Sequence, residues 1–253
     1  MALPRVFAWA MLAAVQSAAW FASPVAAREA AQPAARVTLP PYVRIEYRVT
    51  WGDNGFVVGT TVQESRLGAT HFSLRNTAET TGFVRLFKRA TVVNASEGDI
   101  VAGGLRPHRF RIERSSGRNE SADLDWRAGE VRMSNGRSFK LEPGTQDMLS
   151  LFTQLALVDI DGDVVSIPVM TSKRVERYDF EVLGKENIKT PRGERMTLHL
   201  RHREPDSKEA TEIWLGLDDA RLPIKIRHVD RKGTVFDQIA VRIDTTETRE
   251  GTR

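Results

Sequence analysis

A hydrophobic period of two constrains this chain more than any other feature. Val43, Ile45, Tyr47, Val49 and Trp51 lie on one side of a segment whose other side carries Arg44, Glu46, Arg48 and Thr50, the pattern of a strand with one face in water. Gly52-Asp53-Asn54-Gly55 supplies residues that tolerate positive φ in a tight reversal, and Phe56, Val58, Thr60 and Val62 resume the alternation; a hairpin is predicted. The same period returns in Phe72, Leu74, Asn76 and Ala78, in His108, Phe110 and Ile112, in Ala122, Leu124 and Trp126, and in Val131 and Met133. Further strands are predicted over 164–169, 178–183, 196–202, 212–217, 224–228 and 235–243. A sheet of ten or more strands does not stay open and flat. The expected fold is therefore mainly β, a single curled antiparallel sheet forming an open barrel or β-spiral.

One segment breaks the period. Between Thr145 and Val158, Met148, Leu151, Phe152 and Leu155 recur at helical spacing, and Leu149, Ala156 and Leu157 widen the stripe until little polar surface remains. Gly144 breaks the preceding segment, and Asp147 or Thr145 can cap the free N–H groups. One α-helix, at about 145–158, is expected to be buried in the concave sheet or to plug it.

Ahead of the first strand, Arg5 precedes an apolar run from Val6 to Phe21, which gives way to Ser23, Pro24 and Val25-Ala26-Ala27. This reads as a signal peptide over 1–27 with cleavage after Ala27; an uncleaved anchor is the alternative. A flexible leader is expected over 28–40, a single β-rich domain over 41–244 and a disordered tail over 245–253. The resulting expectation is a periplasmic protein with no transmembrane anchor after cleavage. The absence of cysteine rules out disulfide stapling, zinc–thiolate sites and a lipidated cysteine at the cleavage site.

Net charge is +4, from 37 Lys and Arg against 33 Asp and Glu, so the chain is near balance and lacks the concentrated basic face that a nucleic-acid partner wants. The densest basic stretch, Arg106 to Arg118, alternates Arg109 and Arg111 with Phe110 and Ile112, as the solvated face of a strand does. Asp159, Asp161 and Asp163 resemble the start of a calcium loop, but Val164 stands where the turn needs glycine and Met170 where a bidentate glutamate belongs. His199 and His202 are three apart on a predicted strand, so they face opposite sides and cannot share a metal ion. No nucleophile elbow, phosphate loop or metalloprotease motif occurs. No catalytic residue and no cofactor is assigned, and a hydrolase with a scattered triad is the third-ranked reading.

Trp51, Trp126, Met148 and Phe152 are the large apolar side chains expected to face the interior, either as core or as the lining of a ligand pocket. Gly82 to Phe87 forms an apolar turn that either covers a sheet edge or meets a membrane or partner.

The succession Gly104-Leu105-Arg106-Pro107-His108-Arg109-Phe110, Leu124-Asp125-Trp126, Gln146-Asp147-Met148-Leu149-Ser150, Lys189-Thr190-Pro191-Arg192-Gly193, Ile213-Trp214-Leu215 and Leu222-Pro223-Ile224 resembles the bacterial envelope family catalogued as domain of unknown function 3108. The resemblance covers about Tyr42 to Ile243. It implies an exported protein of Gram-negative bacteria with a curled β-sheet similar in style to periplasmic lipoprotein carriers, and no established activity. Its recurrent positions here would include Asp147, Ser150, Trp214 and Pro223, each with a structural role: helix cap, capping partner, sheet-packing aromatic and strand-edge residue.

Two functions follow. One is a non-catalytic periplasmic binder or carrier of an apolar small molecule or lipid. The other is a structural or interaction factor with a filled core, whose surface meets an envelope protein or the wall polymer. A continuous interior cavity above about 300 Å³, the lower end for small-molecule sites, separates them.

Overall fold

The structure, a computed structural model, describes residues 39–52, 55–81 and 90–246. The segment expected to be a signal peptide, most of the expected leader, the expected turn over 82–87 and most of the expected tail therefore lie outside the described residues. The alternation that opens the chain forms β1 (Tyr42–Trp51), which pairs antiparallel with β2 (Phe56–Leu67). A meander continues through β3 (His71–Thr80), β4 (Thr91–Val101), β5 (Gly104–Arg114), β6 (Glu120–Asp125), β7 (Glu130–Met133) and β8 (Ser138–Lys140). After the helix α1 (Ser150–Leu157) comes a second meander: β9 (Val164–Met170), β10 (Val175–Thr190), β11 (Gly193–Arg203), β12 (Ala210–Gly216), β13 (Pro223–Val229) and β14 (Val235–Thr246).

Last strand meets first. β14 pairs with β1 over ten residue pairs, which fuses the two meanders into one 14-stranded antiparallel sheet with β8 and β9 as its edges. The sheet curls but does not close by a β8–β9 pair. Gln146 lies against the β9 edge and bridges to Val169 in parallel fashion: its N–H donates to Pro168 O at 2.8 Å and its carbonyl accepts from Met170 N–H at 2.7 Å. Thus the C-terminal end of the β9 edge, at Pro168 and Met170, has its backbone groups paired.

That bridge also shortens the helix. Thr145 and Gln146 were expected within it, but the backbone of Gln146 is engaged with β9, and the first helical i→i−4 bond runs from Leu151 N–H to Asp147 O at 3.0 Å. The helix that follows is a wedge with two apolar flanks. Leu151, Leu155 and Val158, spaced i, i+4 and i+7, pack against Phe180, Leu200, Ile213 and Leu215 of the second meander. Leu149, Ala156 and Leu157 face the other way, into Ile45, Tyr47, Leu74 and Leu105 of the first. Seven of its eight residues are buried.

Three differences from the sequence reading, two of them in strands, have local causes. β4 carries no apolar alternation because its inward positions are Val92, Asn94, Ser96 and Gly98, three of them without an apolar side chain. In β2 a bulge opposite Val49 and Thr50 leaves Val58 as the extra residue, so the buried set becomes Thr61, Gln63 and Ser65 while Val62 turns outward. Leu39, placed in the leader by composition, is 7% exposed and belongs to the core.

Candidate functional site

The helix is set by one buried acid. Asp147 Oδ1 accepts from Leu149 N–H at 2.8 Å and Ser150 N–H at 2.9 Å, and its Oδ2 accepts from Ser96 Oγ–H on β4 at 2.5 Å. Ser150 returns the contact, its Oγ accepting from Asp147 N–H at 3.0 Å, the reciprocal arrangement of a capping box. Burial pushes the Asp147 carboxyl up from its ordinary value, opposed by these hydrogen bonds. Two glutamines then tie the helix segment to the β4–β5 turn. Gln154 Oε1 accepts from Leu105 N–H at 2.7 Å and its Nε2 donates to Gly103 O at 2.7 Å, while Gln146 Nε2 donates to Leu105 O at 2.8 Å. Motifs some forty residues apart in the sequence meet here.

With the helix fixed, Met148, Leu149 and Phe152 become the floor of a cavity inside the curled sheet. Its volume is about 160 Å³, below the roughly 300 Å³ at which ordinary small-molecule sites begin. The criterion set for a carrier of a whole small molecule or lipid is therefore not met; the volume is close to the ~150 Å³ of an apolar cavity that admits benzene. The mouth lies at the end of the sheet where β5 meets β6, β9 meets β10, β11 meets β12 and β13 meets β14, since Ser121, Ser172, Glu204 and Phe236 all line it.

Two polar rows cross the walls. Gln63, Asn76 and Asn94 are cross-strand neighbours on β2, β3 and β4, and Asn94, 1% exposed, has an Oδ1 without a hydrogen-bond partner among the described residues. On the facing meander the row is His202, Thr211 and His228. His202 stacks on Tyr178 with ring centroids 4.2 Å apart and an interplanar angle of 8°. Its Nδ1 lies 3.1 Å from Asp179 O, and Glu204 Oε2 is 3.9 Å from its Nε2. His228 Nδ1 is 3.4 Å from Thr211 Oγ1. The Nε2 atoms of both histidines are buried and unpartnered among the described residues. Burial lowers the His228 pKa and raises that of the Tyr178 hydroxyl.

Of the four side chains expected inside, Met148 and Phe152 line the cavity, and Trp51 and Trp126 do not. Trp51, 37% exposed, shares the inward phase of β1 but sits at the hairpin end beside Phe56 and Val57, past the last β3 pairing at Gly59. Trp126 begins the β6–β7 turn and donates from Nε1 to Pro107 O at 2.6 Å, in a shallow outer groove with Arg109 and Arg132. Trp214 is on the outer face, 4% exposed, with the His199 ring stacked at 4.2 Å on one side and the Lys225 ammonium 4.2 Å from the ring on the other. Pro223 opens β13, and its carbonyl accepts from Tyr47 Oη–H at 2.7 Å.

The remaining candidates resolve locally. His199 and His202 do face opposite sides, His199 lying between Glu186 at 2.9 Å and Glu212 at 2.8 Å. Among the described residues no group of three His, Asp or Glu side chains is placed to hold a metal ion. The Arg221 guanidinium lies near enough to Asp159 and Asp161 for both carboxylates to favour its charge. In the basic stretch Arg106 pairs with Asp99, Arg109 with Asp123, Arg111 with Glu97 and Arg114 with Glu120. Periodicity alone passed over the polar rows. The available signal was polar residues at inward-phase positions, Asn94 and His202 above all.

A family model described as "Protein of unknown function (DUF3108)" matches residues 46–239. No curated protein matches the chain. Among solved structures, the β-barrel-like protein of domain of unknown function DUF1849 from Brucella abortus is similar with a TM-score of 0.55 at 13% identity, over 84% of this chain and 100% of that one. A Bacteroides fragilis protein described as exported, with a YmcC-like fold, gives 0.32 at 11% identity over 84% and 100%.

Proposed function

The chain belongs to the DUF3108 family, and from its lumen we propose that it is a non-catalytic periplasmic binding protein that holds a small apolar molecule, or the end of a longer chain, inside the curled sheet. The observation that carries this reading is the cavity of about 160 Å³ floored by Met148, Leu149 and Phe152 and walled by both meanders. Apolar walls with a few convergent polar atoms are the usual make-up of such sites. Periplasmic residence rests on the signal-like segment over 1–27. Among the described residues no helix is long and apolar enough to cross a membrane.

Benzene and n-hexane test the reading directly. A ligand that binds only the folded state raises the melting temperature with concentration. Both probes are expected to do so, and Leu149→Trp, which fills the floor, is expected to abolish the shift. Absence of any shift in the wild type, together with no co-purifying ligand in native mass spectrometry, would sink the proposal.

A second reading has its own observation. Trp51, Phe56 and Val57 are 37%, 49% and 41% exposed and adjoin on the β1–β2 hairpin, which suits an interaction factor of the envelope that docks through this hairpin. In-cell cross-linking from position 57 tests it; failure to recover any reproducible partner would remove it.

A further inference from the structure

The polar end of the lumen is asymmetric in its hydrogen-bonding capacity. His202 Nδ1 meets the carbonyl of Asp179 at 3.1 Å, and a carbonyl only accepts. The ring therefore carries a hydrogen on Nδ1, and in the singly protonated ring Nε2 is an acceptor. That Nε2 atom is itself buried, without a hydrogen-bond partner among the described residues and with Glu204 Oε2 3.9 Å away, on a residue that lines the cavity. Asn94 Oδ1, also unpartnered and on a residue 1% exposed, is a second acceptor on the facing wall. An unpaired buried acceptor costs free energy until a donor reaches it.

The nearby charges point the same way. Glu204 and Glu209 both line the cavity mouth. Among the described residues, Arg231 pairs with Glu209 at 3.0 Å and Arg174 with Glu176 at 2.7 Å. Burial, followed by the Glu176 carboxylate, raises the Glu204 carboxyl, with His202 and Arg174 opposing. A further anion would enter beside the Glu204 carboxylate, with Glu209 already paired to Arg231.

We propose that the occupant of the lumen carries a hydrogen-bond donor without negative charge, an alcohol, amide or ammonium, set against His202 and Glu204, and that carboxylates of the same chain length are rejected. This rests on the lumen being a binding site. The size of the cavity selects six-carbon probes, so the experiment titrates the protein at neutral pH with 1-hexanol, hexylammonium and hexanoate, and with benzene as a probe lacking a head group.

Hexanol and hexylammonium are expected to bind about tenfold more tightly than hexanoate. His202→Phe keeps an aromatic ring over Tyr178 but removes the acceptor; it should lose about fivefold in hexanol affinity with benzene unaffected. Glu204→Gln, at a half-buried position that folding tolerates more readily, should raise hexanoate affinity several-fold. Hexanoate binding as tightly as hexanol overturns the assignment of the head group while leaving the lumen reading intact, as does a ranking unmoved by either variant. If benzene and all three hexyl probes fail to bind, the lumen reading fails and this inference goes with it.

Discussion

Asp147 governs the position of the helix, and its replacement has a cost that can be assembled from its contacts. Asp147→Ala removes a helix cap, worth about 1–2 kcal/mol, and strands the Ser96 hydroxyl and two N–H groups in a site with no exposure, at about 1–3 kcal/mol per buried group. A loss of at least about 3 kcal/mol is expected from the denaturant midpoint. The sign of the pH dependence follows from the raised carboxyl: the folded state holds a proton that the unfolded chain releases, so this group's contribution falls as pH rises from its ordinary value of 3.8 through the raised one. The stability advantage of wild type over Asp147→Asn should accordingly widen as pH is lowered from neutrality. His228 shifts in the opposite direction, since burial favours its neutral ring. Its imidazole should titrate by NMR with a midpoint below 6.5, and a midpoint at or above that value would contradict the enclosed placement.

Among the elements, the joint between the helix segment and the β4–β5 turn is the most exacting. Gly104 has φ +110°, and a Cβ there would lie 2.3 Å from Gln154 Oε1. Gly104→Ala therefore combines backbone strain with displacement of the amide that satisfies Leu105 N–H and Gly103 O. About 3 kcal/mol of destabilisation is expected by chemical denaturation, and Gln154→Ala in the same chain should recover part of it by removing the clash. The helix itself was legible in the sequence because Met148, Leu151, Phe152 and Leu155 recur at helical spacing. Its start was not, because whether Gln146 begins a helix or bridges to β9 depends on where β9 lies. β4 was hidden for a related reason: Asn94 and Ser96 occupy buried positions, Ser96 because Asp147 receives its hydroxyl and Asn94 because it faces the cavity.

On the scale of the molecule, the last strand lies in the middle of the sheet. β14 separates β1 from β13, so a chain ending at Thr234 would expose two long new edges. Such a truncation is expected to be insoluble or to elute as aggregate in size-exclusion chromatography, whereas removal of residues 247–253 should leave folding unchanged. Tyr47, whose hydroxyl on β1 reaches Pro223 O on β13, clasps the same junction from inside; Tyr47→Phe should cost about 1–2 kcal/mol, read from the denaturant midpoint.

Period two, the lone apolar stripe and the turn glycines determined by themselves that this chain makes one curled antiparallel sheet around a buried helix, because face and pleat are properties of neighbouring residues. Tertiary structure alone decided that β14 returns to β1, that Trp51 and Trp126 leave the interior while Asn94, His202 and His228 enter it, and that the lumen narrows to about 160 Å³. Those outcomes depend on which strands become neighbours, where a bulge reverses a face and how far the helix intrudes, and all three are set by contacts between residues far apart in the chain.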